Sequence, residues 1–252
     1  NVHNQLKLYQ VAQNLQLDIK LKSSEDAPEL SVLELFQYFI DIIDDQDWIT
    51  LTQNQFQPIT VTEELYIVPS WHNIDHPNAI NIILDPGLAF GTGSHPTTFM
   101  CLKWIMQILY PIIKSNGAKN NISLLDYGCG SGILAIAAKK IACDKVFGLD
   151  IDTQAISSST DNAKINQVDI QFFHADLLQT YVAQVDVLVA NILSNPLRFL
   201  APQLASLTKD KIILSGILEH QANELIGIYQ QWFNITIFDT MDGWVLLYGT
   251  KL

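Results

Sequence analysis

The segment Asp126-Tyr127-Gly128-Cys129-Gly130-Ser131-Gly132 carries the densest chemical signal in the chain. Residues 124–126 read as the end of a buried strand, and residues 133–141 run on as an Ala-rich helix. Strand, glycine loop and helix together bring backbone N–H groups and a helix N-terminus up to a nucleotide-like ligand. A strand-to-helix turn also uses glycine for its left-handed backbone, so the glycines alone are compatible with an ordinary turn. The acidic residues around them weigh toward a ligand. Asp126 closes one strand, Asp150 closes the next, and Asp176 follows the third. Ligands of open parallel sheets sit beyond the carboxyl ends of the strands, and a carboxylate at the second strand end accepts the ribose hydroxyls. Here the glycines are spaced G-x-G-x-G after an acid. A dinucleotide fold has G-x-G-x-x-G and seats a pyrophosphate on the helix N-terminus. A carboxylate beside a phosphate repels it, whereas it suits an ammonium group. The expected ligand is a nucleoside with a cationic tail.

Two further side chains invite a chemical role. His95, between Ser94 and Pro96, has the titration range of a general base; its neighbours equally suit a loop held by a side-chain hydrogen bond. Cys129 inside the loop has the look of a nucleophile, but a small side chain that lets a ligand approach is the simpler reading. The six histidines share no ligand spacing on one element, so no metal is expected.

The elements that must position these residues alternate. Strands at 124–126, 145–150, 170–174, 185–190 and 211–215 are interleaved with helices at 133–142, 153–166, 196–208 and 220–232, and two last strands at 235–238 and 244–248 flank a turn at Asp242-Gly243. Apolar strands alternating with helices predict an α/β fold whose parallel sheet is covered on both faces. A closing pair joined by a short turn must be antiparallel. Upstream, residues 59–62, 65–68 and 79–84 read as short strands, and 98–109 as a helix with apolar positions 99, 102, 105, 106 and 109 on one face. Ser31 and Glu34 form a capping box for a helix at 32–43. Residues 1–47 are a short N-terminal α/β appendage, 48–86 a linker and strand extension, and 87–252 the catalytic domain.

Composition excludes several classes. Net charge is −12 and Arg198 is the only arginine, which disfavours nucleic acid as a direct partner and suits a basic one. Three cysteines, Cys101, Cys129 and Cys143, make no C-x-x-C pair and argue for reduced thiols in a cytosol. No apolar run approaches the roughly 20 residues of a membrane span, and no signal peptide is evident. A cytoplasmic monomer with no membrane partner is expected.

The glycine loop with Asp150 resembles the cofactor site of class I S-adenosylmethionine-dependent methyltransferases, whose Rossmann-like, seven-stranded, mostly parallel sheet ends in an antiparallel hairpin. Asp85-Pro86-Gly87-Leu88-Ala89-Phe90-Gly91-Thr92-Gly93-Ser94-His95-Pro96-Thr97-Thr98 and Asn191-Ile192-Leu193-Ser194-Asn195-Pro196-Leu197 are similar to the signatures of the ribosomal-protein methyltransferase family called PrmA. That resemblance, over about residues 48–252, implies N-methylation of large-subunit ribosomal protein eleven, a basic substrate, on lysine side chains and the N-terminal amine. It implies S-adenosylmethionine contacts from Thr98, Asp126, Gly128, Gly130, Gly132, Asp150 and Asn191, with Asp176 near the adenine. Asn191 would orient the neutral amine by its side-chain carbonyl, in a channel walled by Leu88, Phe90 and Ile192; His95 is the alternative base. Family members usually carry a longer N-terminal domain that grips the ribosomal protein, so residues 1–47 are read as its remnant. The residues leave open another protein or small-molecule acceptor and, more weakly, a non-catalytic cofactor-binding module. Methylation of amides is disfavoured, because Asn191 is followed by Ile192 and Leu193 in place of an Asn-Pro-Pro-aromatic motif.

Overall fold

The computed structural model describes residues 57–84, 93–117 and 121–252. The expected appendage at 1–47, with its helix at 32–43, lies outside the described residues, as do Leu88 and Phe90.

Strands β1 (Ile59–Thr62), β2 (Leu65–Val68) and β3 (Ile80–Ile83) form a small sheet in which β2 pairs antiparallel with β1 and parallel with β3. Residues read as linker and strand extension therefore have a structural task. Leu65, Ile67 and Ile82 join one core with Met100, Trp104 and Ala137.

The main sheet contains β4 (Ser123–Tyr127), β5 (Lys145–Asp150), β6 (Gln171–His174), β7 (Val185–Asn191), β8 (Thr208–Leu218), β9 (Phe233–Met241) and β10 (Trp244–Lys251). Its order is β6-β5-β4-β7-β8-β10-β9. The first five strands in that order are mutually parallel, and β10 is antiparallel to both β8 and β9, as expected. The chain winds outward from β4 to β6 and then returns to place β7 on the other side of β4, so a crevice opens between β4 and β7 at the carboxyl edge.

Alternate residues of each strand feed opposite faces. Leu124, Val146, Val187, Val189 and Ile213 belong to the core under helices α1 (Pro96–Trp104) and α3 (Ile133–Lys140). Leu125, Leu149, Leu188, Ile212 and Leu214 belong to the opposite core, under α6 (Ser194–Leu207) and α7 (Ala222–Tyr229). Burial on both faces is why these strands read as continuous apolar runs. On the first face α4 (Thr153–Ile165), which follows β5, adds Ala163 to the core, and on the opposite face the short α5 (Leu178–Tyr181), which follows β6, adds Leu178.

Several expected boundaries move, and two of the shifts have a local cause. The helix expected at 98–109 begins at Pro96, passes through a π-turn at Ile105–Leu109 and continues as α2 (Tyr110–Asn116). The wider turn sits directly before Pro111, where a regular ladder would lack a donor. The strand expected to stop at Ser215 continues to Leu218, because one extra residue bulges out of β8 between Leu214 and Ile217, opposite Val245–Leu247 of β10. The last hairpin turns at Asp242 (φ 50°) and Gly243 (φ 79°), the paired positive dihedrals of a two-residue turn that matches strand twist.

Side chains lock the parts in register. Asp186 Oδ2 accepts from the Ser123 N–H at 2.8 Å and from its hydroxyl at 2.6 Å, pinning β4 to β7. Asn166, just beyond α4, accepts from the Ile83 N–H at 2.8 Å and donates to the Ile83 carbonyl at 2.7 Å, so its amide serves β3 as a neighbouring strand would. Asn166→Ala is expected to lower stability by about 1–3 kcal/mol, since it leaves both Ile83 groups without partners. Asn166→Asp does not rescue it, having lost the donor. Urea denaturation measures both; an unchanged midpoint would show that the amide does not hold β3.

Candidate functional site

Two carboxylates hold the glycine loop. Asp150, at the end of β5, accepts from the Gly130 N–H at 2.9 Å and from the Asp152 N–H at 3.0 Å. Asp126, in β4, is 1% exposed. Its Oδ2 accepts from the Ala135 N–H in the first turn of α3 at 3.2 Å, and its Oδ1 is buried without a partner. Burial pushes this carboxyl up to about 7; the Ala135 N–H opposes the shift, and the charge of Asp150 adds to it. The Gly128 and Cys129 N–H groups both donate to the Leu149 carbonyl, at 2.8 and 2.9 Å, folding the loop over β5. Behind the loop, Asn162 of α4 donates to the Ser131 carbonyl at 2.8 Å. The Cys129 thiol is buried, and burial first, then Asp126 and Asp150, raise its pKa. At neutral pH it is no thiolate nucleophile, so a small side chain permitting close approach is the role that fits.

Across the β4–β7 crevice, the Asn191-Ile192-Leu193 turn meets this loop directly. A Cβ on Gly128 (φ 80°) would fall 2.4 Å from Ile192 Cγ2, and one on Gly216 (φ 80°) would fall 2.3 Å from the Ile192 carbonyl oxygen. Both positions need glycine for backbone conformation and for space. Asn191 donates its amide nitrogen to Thr98 Oγ1 at 3.2 Å, and Thr98 is 1% exposed. Thr98 thus lies behind Asn191 and sets its orientation.

An apolar pocket of about 460 Å³ opens beside this turn, lined by His95, Thr97, Asn191, Ile192, Leu193, Pro196, Gly216 and Trp244. His95 caps α1: its Nδ1 accepts from the Thr97 N–H at 3.3 Å and lies 2.7 Å from the Thr97 hydroxyl. Its ring meets Trp244 edge-on, with centroids 5.1 Å apart. Two clefts of about 740 Å³, around Lys145–Phe147 and around Cys143–Asp144, lie at the amino ends of the strands, away from where ligands of such sheets bind.

The structure therefore gathers Asp126, Gly128, Gly130, Gly132, Asp150, Thr98 and Asn191 around one crevice. Asp176 stands further out beyond β6, exposed, its carboxylate 3.2 Å from His174 Nδ1. His174 in turn reaches the Ile151 carbonyl at 3.0 Å, tying the ends of β5 and β6 together. Gly216, Trp244 and Asn162 were not singled out from sequence. Gly216 had a signal, since an isolated glycine in an apolar strand marks a bulge or a close backbone approach. Trp244 and Asn162 had none, because their partners are distant in the chain. Among the described residues no group of three or more His, Cys, Asp or Glu is placed to hold a metal ion, and no helix is long and apolar enough to cross a membrane.

Comparison with known proteins adds a family. The model of a family described as ribosomal protein L11 methyltransferase (PrmA) matches residues 5–252. A ribosomal protein L11 methyltransferase of Neisseria meningitidis serogroup A is 53% identical over 216 residues, 85% of this chain and 70% of its own length. One of Dechloromonas aromatica is 45% identical over 236 residues, 93% of this chain and 76% of its own. Among solved structures, a ribosomal protein L11 methylase of Lactobacillus delbrueckii subsp. bulgaricus superposes with a TM-score of 0.64 at 31% identity, covering 78% of this chain and 99% of that one.

The Asp126 environment makes a prediction about pH. The folded state keeps a proton that the unfolded chain releases near its ordinary value of about 3.9. This contribution to stability is complete below that value and is lost as pH rises through about 7. In Asp126→Asn the decline between about pH 4 and 7 should flatten, seen as a wild-type-minus-variant difference in urea stability that changes with pH. A difference that stays constant across that range would contradict the assignment.

Proposed function

The chain belongs to the PrmA family of ribosomal protein L11 methyltransferases, and from that premise we propose that it transfers methyl groups from S-adenosylmethionine to amines of ribosomal protein L11, on lysine side chains and at the N-terminus. The observation that carries this reading is the contact of Ile192 with Gly128. It sets a cradle for a nucleoside with a cationic tail wall to wall with an apolar pocket that ends at Asn191.

The residues fit the cofactor. Asp150, at the β5 end, has the position to take ribose hydroxyls; the N–H bonds from Gly130 and Asp152 use only part of its acceptor capacity. The glycine loop leaves no side chain in the way, and the Asp126 carboxyl beneath it, which burial keeps protonated up to about pH 7, ionises in favour of a cationic group bound there. Asp176, exposed beyond β6, is the acidic residue toward the adenine. When bound, S-adenosylmethionine supplies a methyl group activated by a sulfonium.

The remaining work falls to the pocket. An amine accepts a methyl only through its lone pair, so an incoming lysine, ordinarily protonated up to about pH 10.4, must shed a proton. Ile192, Leu193, Pro196 and Trp244 surround the ammonium with apolar surface, which disfavours the charged form. Asn191 has committed its amide nitrogen to Thr98 and keeps its carbonyl oxygen for an amine N–H, fixing the lone pair in line for displacement. His95 lines the same pocket, but its Nδ1 is engaged in capping α1, so its support is to the loop and to Trp244. A ribosomal substrate supports a cytoplasmic location for this activity.

Two experiments test the reading. Calorimetric titration should show S-adenosylmethionine binding and no NAD binding, with Gly128→Ala abolishing the former. Mass spectrometry of ribosomal protein L11 incubated with enzyme and cofactor should show additions in units of one methyl, and Asn191→Ala should slow them by about a hundredfold with the cofactor saturating. Cofactor binding without any mass shift would assign the enzyme another acceptor. Near-normal turnover in Asn191→Ala would remove that residue from the mechanism.

A further inference from the structure

Around the mouth of the apolar pocket the surface departs from what solubility alone would favour. Leu193 is 67% exposed and Phe199 is 86% exposed. Leu193, Pro196 and Phe199 follow at three-residue intervals from the N-cap of α6, so they share one face of its first turns. Leu193 and Pro196 also line the pocket, so this apolar strip begins inside it and runs out over the surface. The opposite wall ends in two turns. Trp244 pairs with Leu218 across β10 and β8, and the Glu219 N–H donates to the Gly243 carbonyl at 3.0 Å. Glu219 and Asp242 are exposed on these turns, and neither carboxylate has an ion-pair partner among the described residues. Their neighbours differ: Glu224 is bonded to Arg198 at 2.6 Å and Asp239 to Lys103 at 2.8 Å.

Single exposed apolar residues are ordinary. A strip continuous with a pocket, faced by unpaired charge of one sign, is a recognition surface. We propose that this rim docks the acceptor polypeptide itself, in extended form. The target lysine enters the pocket, an apolar side chain beside it lies on Leu193 and Phe199, and a second basic side chain faces Glu219 and Asp242. This rests on the reading of the pocket as an amine acceptor site. It adds that the catalytic unit selects the sequence around the lysine, with charge complementarity between its carboxylates and a basic segment. A free small-molecule amine would use the pocket and leave the rim untouched.

The test uses the full chain with S-adenosylmethionine and ribosomal protein L11, after wild-type transfer has been established; absence of wild-type transfer is a failure of the functional reading and is seen before any variant is compared. Phe199→Asp is expected to raise KM for the protein about tenfold with kcat and cofactor affinity unchanged. Glu219→Lys with Asp242→Lys is expected to do the same at low salt, with the difference from wild type shrinking as ionic strength rises from about 0.05 to about 0.5 M. Unchanged KM in both variants overturns the proposal. So does a change in sedimentation of Phe199→Asp, which would assign the strip to a second copy of the chain. A lowered thermal midpoint in that variant also overturns it, since it would mean that the chain's own residues cover the strip.

Discussion

Ile192 packed between two left-handed glycines is the contact on which the site depends. Gly128 belongs to the loop after β4, and Gly216 to the bulge in β8. Neither position tolerates a Cβ, because the atom would land on the Ile192 side chain in one case and on its backbone in the other. The three segments come from the two strands that flank the crevice and from the strand beyond. Their close approach turns a topological feature, the reversal of strand order, into a shared wall. One side of that wall is a cradle; the other is an apolar pocket. Transfer between two substrates needs this proximity more than it needs a reactive side chain.

Charge explains the rest of the arrangement. A carboxylate buried without full hydrogen bonding is costly, and Asp126 is one, with only the Ala135 N–H on its Oδ2. The fold accepts this at the foot of the glycine loop, where a cationic group would repay it. Asp150 keeps the loop in place by its bond to Gly130, so the residue suited to the sugar also shapes the cradle. The acidic balance of the whole chain extends to the pocket rim, where Glu219 and Asp242 face outward.

Support for the site comes from the helices packed behind it. Asn162 and Asn166, four residues apart at the end of α4, fall on one side of the helix. Asn162 holds the loop through Ser131, and Asn166 holds the small sheet through Ile83. One helix thereby refers the cradle and β3 to a common frame. The small side chains of α3, with Ala135, Ala137 and Ala138 fully buried, let that helix settle closely enough for the Asp126–Ala135 bond.

Much of this was legible in the chain alone, because the signals are local. Apolar runs alternating with helical patterns announced a two-faced parallel sheet, Asp242-Gly243 announced the closing turn, and the acid before G-x-G-x-G with Asp150 favoured an ammonium-bearing nucleoside over a pyrophosphate. The long motif from Asp85 to Thr98 carried the resemblance to a family. What only the tertiary structure decided depends on partners far apart in sequence. Asn166 meets Ile83 across 83 residues and Asn191 meets Thr98 across 93. Trp244 meets His95 only because β10 folds back against β8 and α1 rests on that strand pair. Local pattern sets which face of each element is apolar. Which elements then become neighbours, and so which side chains form a pocket, follows from packing the whole sheet at once.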